Sequence, residues 1–280
     1  MSSAGKTELG HFLRARRLRL DPAALGVMAT RRRRTPGLRR EEVAELAGIG
    51  TDWYVRLEQG RDVNPSVTTI DALARALRLT DAERDHVHQL ARTGRRAAFT
   101  METVPATLER IVRALEVPAY VTGQRWDILA WNAAAAALFM DFGRLPPGER
   151  NILLYMLTDA DARRLFGDTW AAEARRMVAQ FRMNFGIWAG DPAFEALVAL
   201  LQQRNPHFQK WWHAHDISPQ AAGRKTLHHA TRGTLFAEYA TLQANDDQRL
   251  KLVMYLVSAS EAPAHAPEAP RQARRIRKIP

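Results

Sequence analysis

The sequence predicts two domains of different fold class, an all-α domain over residues 1–96 and an α+β domain over residues 97–260, followed by a tail over residues 261–280. Only helical apolar periodicity is found in the first part, whereas strand-like runs occur in the second. The charge divides the chain similarly, with +7 over residues 1–96, −1 over 97–270 and +5 at the end. A basic domain beside a neutral one is typical of a protein whose basic part binds a polyanion.

Five helices are predicted in the all-α domain, from apolar periodicity and from residues that begin and end helices. The first covers residues 7–20 and stops at an Asp-Pro pair, after which residues 23–37 form an insertion with four consecutive arginines. The last two helices begin at recognisable caps. These are Ser66 before the fourth helix and a capping box over residues 80–83 at the start of the fifth.

Residues 38–60 predict two short amphipathic helices, the second and third of the five, joined by a tight turn. Ala44 is small where two helices must cross closely. Gly48 can supply the positive φ that a helix-ending turn needs, and Gly60 occupies the position of a C-terminal left-handed cap. This layout is that of a helix-turn-helix, whose second helix is presented to the DNA major groove.

The α+β domain is predicted to carry strands at its two ends and helices between them. Residues 119–122 and 126–131 flank a Gly-containing turn and predict a hairpin, and Asn132 begins a short helix that ends at Phe139. Further helices are expected over 149–157, 169–185, 192–203 and 206–215, and strands over 225–230, 234–243 and 249–258. This order favours one antiparallel sheet with a helical layer. The Pro-, Ala- and Arg-rich tail is expected to be a disordered basic segment.

Composition excludes several classes of protein. The chain has no cysteine, which excludes a disulfide scaffold, a thiolate metal site and a cysteine nucleophile. No apolar targeting segment follows Met1, and the longest apolar stretch, near residues 133–140, is too short to span a bilayer. We therefore expect a cytoplasmic protein without membrane insertion.

The recognition helix is expected over residues 51–59, and its exposed positions are candidates for base contacts. Arg56 can bond guanine O6 and N7, Thr51 can contact a thymine methyl group, and Asp52 can accept from cytosine N4. Two alternatives stay open. Asp52 can instead interact only with the helix N-terminus, and Arg56 can form a surface ion pair.

Histidines in the second domain raise the alternative of a metal site, through His213, His215, Asp216, His228 and His229. The spacing opposes this, because His213 and His215 lie about 200° apart on a helix and His228 and His229 point to opposite faces of a strand. The sequence also lacks the GxSxG, phosphate-loop and HExxH motifs. We therefore expect no enzyme activity, no metal and no cofactor.

The segment TPGLRREEVA at residues 35–44, followed by RLEQGR at 56–61, resembles the XRE-type bacterial transcription regulators, and more narrowly the MmyB-like subgroup. The resemblance continues to about Ser258. It implies a five-helix, lambda-repressor-like helix-turn-helix domain and a PAS-like ligand-binding domain. It also implies a cytoplasmic regulator of transcription. A homodimer on a palindromic operator is expected, because two half-sites double the contacts.

Contacts to the DNA backbone are expected around the recognition helix, since such contacts anchor a protein without reading sequence. Arg39 and Arg40 begin the preceding helix, where the resemblance implies phosphate contacts, and Arg61 follows the glycine cap. Trp53 is expected to face the DNA, with half-burial under the insertion as the alternative. For the arginine run, the alternative is a solvated loop. The full set is Arg31, Arg32, Arg33, Arg34, Arg39, Arg40, Trp53 and Arg61.

Aromatic and methionine side chains recur at helical spacing in the second domain and predict a core or an apolar pocket. The candidate ligand-binding residues are Trp126, Trp131, Phe139, Met177, Phe181, Arg182, Phe185 and Trp188. The resemblance implies a bound long-chain fatty acid as the small apolar ligand. Arg182, Asn184 or a histidine is expected to meet its carboxylate. The alternative is a solid core in a constitutive dimerisation or protein-interaction module.

Overall fold

The computed structural model describes residues 3–27, 36–92, 98–219 and 222–259. The helices are α1 (Ser3–Arg19), α2 (Arg40–Ala47), α3 (Thr51–Glu58), α4 (Val67–Ala76), α5 (Asp81–Arg92), α6 (Ala106–Ala114), α7 (Ala133–Leu138), α8 (Ile152–Thr158), α9 (Ala160–Phe166), α10 (Trp170–Ile187), α11 (Pro192–Arg204) and α12 (Pro206–His213). The strands are β1 (Ala119–Thr122), β2 (Ile128–Trp131), β3 (Gly223–His229), β4 (Gly233–Gln243) and β5 (Lys251–Ser258). The arginine run at 31–34 and the predicted tail at 261–280 lie outside the described residues.

Helices α1 to α5 form the all-α domain that the sequence predicts. Their apolar stripes meet in one cluster, in which Phe12 of α1, Val43 of α2, Tyr54 of α3 and Leu90 of α5 are fully buried. Burial of such side chains contributes roughly 1.5–3 kcal/mol each for aliphatic and phenyl groups. The five-helix prediction is therefore confirmed, and the amphipathic pattern is what brings the helices together.

The predicted helix caps are present in the structure. The hydroxyl of Ser66 accepts the backbone N–H of Thr69 at 3.1 Å. At the start of α5, the Glu83 carboxylate accepts the N–H of Thr80 at 2.9 Å, and the Thr80 hydroxyl accepts the N–H of Glu83 at 3.4 Å. These bonds satisfy donors that the first turn of a helix leaves unpaired.

Close packing of α1 against α3 depends on a glycine. A Cβ atom on Gly10 would lie 2.4 Å from the carbonyl oxygen of Glu58, so no larger residue fits without backbone movement. Beside this contact, the buried guanidinium of Arg17 also donates to the carbonyl oxygen of Leu38 at 2.8 Å. The first helix therefore holds both ends of the helix-turn-helix region.

The second domain contains a five-stranded antiparallel sheet in the order β2-β1-β5-β4-β3. The first and last strands along the chain meet at its centre, where Tyr120 of β1 pairs with Val253 of β5. One face packs against helices α7 to α12 and the other is covered in part by α6. This is the α+β arrangement that the sequence predicts.

Asn132 joins the hairpin to α7 and to the end of α6. Its side-chain oxygen accepts the N–H groups of Ala119 and Ala135, and its amide donates to the carbonyl oxygens of Leu115 and Val117. All of these distances lie between 2.7 and 3.2 Å. A buried side-chain amide with both groups satisfied fixes where the helical layer leaves the sheet.

Two helices are absent from the sequence prediction, α6 and α9. The first packs Val112 onto the outer face of the sheet and the second packs Leu165 and Phe166 against the core. Both are short, with nine and seven residues, and isolated helices of that length are marginal without tertiary packing. None of the helices in the described part of the chain combines the length and the apolar character needed to cross a bilayer.

Candidate DNA-binding surface and ligand pocket

The helix-turn-helix is formed by α2, a turn at residues 48–50 and α3. Gly48 has φ +66° and closes α2, and its N–H donates to the carbonyl oxygen of Ala44 or Glu45. Gly60, with φ +67°, follows α3 in the predicted left-handed conformation. A side chain at either position would be strained. The two glycines therefore define the length of both helices, as the sequence indicates.

Helix α3 presents one face to solvent. Tyr54, Leu57 and Glu58 are buried, whereas Asp52 and Arg56 are exposed and Thr51 is half-exposed. Neither Asp52 nor Arg56 has an ion-pair partner among the residues that the structure describes. The three predicted base-contact residues thus share an accessible surface, and the geometry leaves them available to a groove of DNA.

The buried carboxylate of Glu58, the last residue of α3, joins this helix to α1 and α2. Its carboxylate receives two hydrogen bonds of 2.7 Å from Arg17 and one of 3.0 Å from Arg40. Burial acts to raise the pKa of Glu58, but the hydrogen bonds and charges of Arg17 and Arg40 together outweigh burial and lower the pKa. Arg40 is therefore tied to protein, with 38% of its side chain exposed, while Arg39 and Arg61 are exposed.

Trp53 is half-buried and packs against the core of the first domain. Part of this side chain stays accessible, and its contact with DNA stays a prediction; most of the insertion named in the alternative lies outside the described residues. The half-burial of Trp53 follows from its place on α3, one residue before the buried Tyr54.

The second domain contains a partly open cavity of about 60 Å³. Its walls come from α10, from α7 to α9 and from the inner face of the sheet. This space is smaller than the roughly 300–1,000 Å³ of small-molecule sites. Three predicted ligand-binding residues line it, Trp126, Phe139 and Met177.

The other predicted apolar ligand residues do not line the cavity. Phe181 and Trp188 both stack on Phe194, Phe185 packs edge-on against Trp212, and Trp131 packs edge-on against another ring, 5.9 Å between centroids. For these residues the core interpretation describes the structure. The rings of Phe181, Phe185 and Trp188 pack against aromatic side chains of α11 and α12, whereas Trp131 of β2 packs against Phe142.

Arg182 and Asn184 are also turned away from the cavity. Arg182 donates to the carboxylate of Glu8 in α1 and to the carbonyl oxygen of Trp212, and Asn184 donates to the carbonyl oxygen of Gln124 at 2.9 Å. Arg182 is almost completely buried, with 1% of its side chain exposed. The guanidinium of Arg182 forms an ion pair that joins the two domains. The expectation from the sequence that Arg182 binds a ligand carboxylate therefore does not agree with its position.

A cluster of charged groups that the sequence interpretation missed lies at the cavity instead. Lys225 of β3 is 2.8 Å from Glu173, which also receives a hydrogen bond from Arg176, and Arg176 donates to the Tyr239 hydroxyl at 2.7 Å. Lys225 exposes 5% of its side chain. Burial lowers the pKa of Lys225, and Glu173 opposes that shift. The alternation of side chains along a strand could have predicted the burial of Lys225, because it places Lys225 on the same face as the buried Leu227.

The histidines do not converge. His229 contacts the carbonyl oxygen of Ala137 at 2.9 Å, His213 contacts that of Gln209 at 2.7 Å, and His215 contacts Arg182. In residues 3–27, 36–92, 98–219 and 222–259 no group of three or more potential ligand side chains could hold a metal ion. The metal alternative therefore has no geometric support.

A helix-turn-helix with an open recognition surface, joined to a domain that encloses a cavity, defines a DNA-binding transcription regulator with a ligand-binding domain. The comparisons agree. Residues 104–268 match the MmyB-like transcription regulator ligand binding domain, and residues 8–87 match a helix-turn-helix domain family. The chain belongs to the MmyB-like family of transcription regulators. No curated protein matches the chain significantly.

Proposed function

We propose that this protein is a one-component bacterial regulator that binds a palindromic operator as a homodimer and senses a fatty-acid-like ligand. The observation that carries the ligand proposal is the partly buried charge cluster of Lys225, Arg176 and Glu173 at a cavity lined largely by apolar and aromatic side chains. DNA recognition is assigned to the exposed face of α3.

The charge balance of the cavity favours an anionic ligand. Two cations, the buried Lys225 and the partly exposed Arg176, face one carboxylate, Glu173, which leaves a net charge of +1 beside the cavity. An unbalanced buried charge is costly, and a ligand carboxylate would balance it with charge-assisted hydrogen bonds. The remaining wall includes Phe139, Phe166 and Met177 and suits an alkyl chain.

Regulation follows if the ligand prefers one arrangement of the dimer. A helix-turn-helix dimer reads two half-sites one helical turn apart, so the spacing of its two recognition helices decides which operator it fits. A ligand that binds one spacing more tightly shifts the population towards it. The basic first domain supplies the phosphate contacts, and operator affinity should fall steeply with salt.

Binding of palmitate and of hexadecanol to the full-length protein tests the proposal, because these ligands share a chain and differ in charge. We expect isothermal titration calorimetry to show at least tenfold tighter binding of palmitate, and Lys225→Met to remove that preference. The matched control is Lys210→Met on the exposed face of α12. Equal affinity for both ligands in the wild type, or no binding of either, would refute fatty-acid sensing.

A further inference from the structure

Residues 214–219, which follow α12, lie between the two domains and contact both. We propose that this segment, here named the coupling segment, transmits changes at the cavity wall to the DNA-binding domain. Gln180 links the cavity wall to the segment, and Arg16 and Arg19 link the segment to α1. The inference rests on the proposed function only for the nature of the ligand. The contacts between the cavity wall and the coupling segment do not depend on which ligand is bound.

The coupling segment is attached to α1 at several points. Arg16 donates to the carbonyl oxygen of His215 at 2.6 Å, and Arg19 donates to that of Ala214 and pairs with Asp216 at 2.7 Å. Ile217 packs against the apolar core of the DNA-binding domain. Movement of the segment would therefore move α1, and α1 packs directly on α3 through Gly10 and Arg17.

The same segment is attached to α10 on its other side. Arg175 pairs with Asp216 at 2.8 Å, so this carboxylate bridges α1 and α10. Arg182 contacts the His215 ring at 2.9 Å, and the Gln180 amide donates to the carbonyl oxygen of Pro219 at 3.1 Å.

Gln180 is the residue that joins this network to the ligand site. It lines the cavity together with Arg176 and Met177 of the same helix, and it is also the donor to Pro219. A ligand that fills the cavity competes for the space and the hydrogen bonds of Gln180. Any change in that side chain reaches the coupling segment through one hydrogen bond, without a movement of the whole domain.

The segment is also held in a conformation that its sequence does not favour. His215 has φ +51°, a left-handed backbone that non-glycine residues rarely adopt. Such a conformation persists only where surrounding contacts over-determine it. Here the contacts come from α1 and α10 together, so loss of either set allows the backbone to relax and gives the segment two arrangements.

The test measures affinity of the full-length protein for an operator selected from random-sequence DNA. We expect Gln180→Met, which keeps the side-chain volume but removes the donor, to change the operator Kd at least threefold without added ligand. The effect should become smaller in an Asp216→Asn background, because the segment then loses the two ion pairs through which one carboxylate bridges α1 and α10. Gln203→Met and Asp168→Asn, both at exposed positions, are the matched controls.

Additive effects of Gln180→Met and Asp216→Asn, or an unchanged Kd in Gln180→Met, would overturn the coupling role. Circular dichroism melts verify folding, and Gln180→Ala replaces the methionine variant should that variant not fold. Palmitate binding is measured on the same samples. Its absence together with a non-additive cycle would refute the fatty-acid proposal and leave the coupling segment supported, whereas palmitate binding with an additive cycle would do the reverse.

Discussion

Arg182 of α10 and Glu8 of α1 form a buried ion pair that joins the two domains, across 174 positions of sequence. Burial acts to raise the pKa of Glu8, but interactions with His215 and Arg182 outweigh it and lower the pKa to about 2. A pair of this kind specifies one geometry, because removal of either partner leaves an uncompensated charge in the interior. The relative placement of the DNA-binding and ligand-binding domains is therefore built into the fold.

Glu8→Gln should destabilise the protein by about 3–5 kcal/mol, the usual effect of breaking one side of a buried pair. The physical reason is the isolated guanidinium of Arg182, of which 1% is exposed. Urea denaturation followed by tryptophan fluorescence measures the change. Glu45→Gln, at an exposed position of α2, is the control and should change stability by less than about 0.5 kcal/mol. An equally small effect of Glu8→Gln would contradict the assignment.

Acidification should weaken the fold through His86. This ring is fully buried, neither of its nitrogens has a hydrogen-bond partner among the described residues, and burial lowers its pKa to about 3. Between pH 6.5 and 3 the unfolded chain binds the proton and the folded one does not, so stability falls by about 1.4 kcal/mol per pH unit as the pH drops. The lowered pKa of His215 acts in the same direction.

Denaturation curves at pH 7.5, 6.0 and 5.0 check this pH dependence. His86→Gln should flatten it, whereas His213→Gln, at an exposed histidine, should leave it unchanged. Glu8 adds to the slope only below about pH 4.5, where its unfolded form begins to take up a proton, so the upper window isolates the histidines.

Gly10→Ala should destabilise the DNA-binding domain by about 1–3 kcal/mol through overpacking. The new methyl group would lie 2.4 Å from a backbone oxygen of Glu58, so α1 and α3 must separate. Differential scanning calorimetry measures the loss. Gly148→Ala is the matched control, because a Cβ there meets nothing within 4 Å. A melting temperature equal to that of the control would show that the two helices adjust freely.

Replacement of Arg56 and replacement of Arg39 by glutamine should weaken DNA binding in different ways. Loss of a guanine contact at Arg56 should cost about 1–3 kcal/mol on the selected operator and relax sequence preference at one base pair. Loss of a phosphate contact at Arg39 should weaken binding to all sequences and reduce the salt slope by about one. Fluorescence anisotropy over a salt series, on operator and scrambled DNA, separates the two. Identical behaviour of the variants would contradict the assigned roles.

Local features of the sequence were enough to predict most elements of the fold. The turn glycines at 48 and 60 and the helix caps at Ser66 and Asn132 act on residues at most a few positions away, and the structure contains each of them. The strand β2 begins at Ile128, two residues later than predicted, because Trp126 adopts φ +68° in the turn.

The ligand site and the domain contacts were decided by tertiary structure. Whether Arg182 or Arg176 faces the cavity depends on how α10 is rotated between the sheet and α12, and the sequence pattern of α10 is apolar on both sides. Glu8, the partner of Arg182, and Tyr239, a partner of Arg176, lie on distant elements. Periodicity and capping report on neighbours along a helix or strand, whereas convergence of charges at a buried point depends on the packing of whole elements.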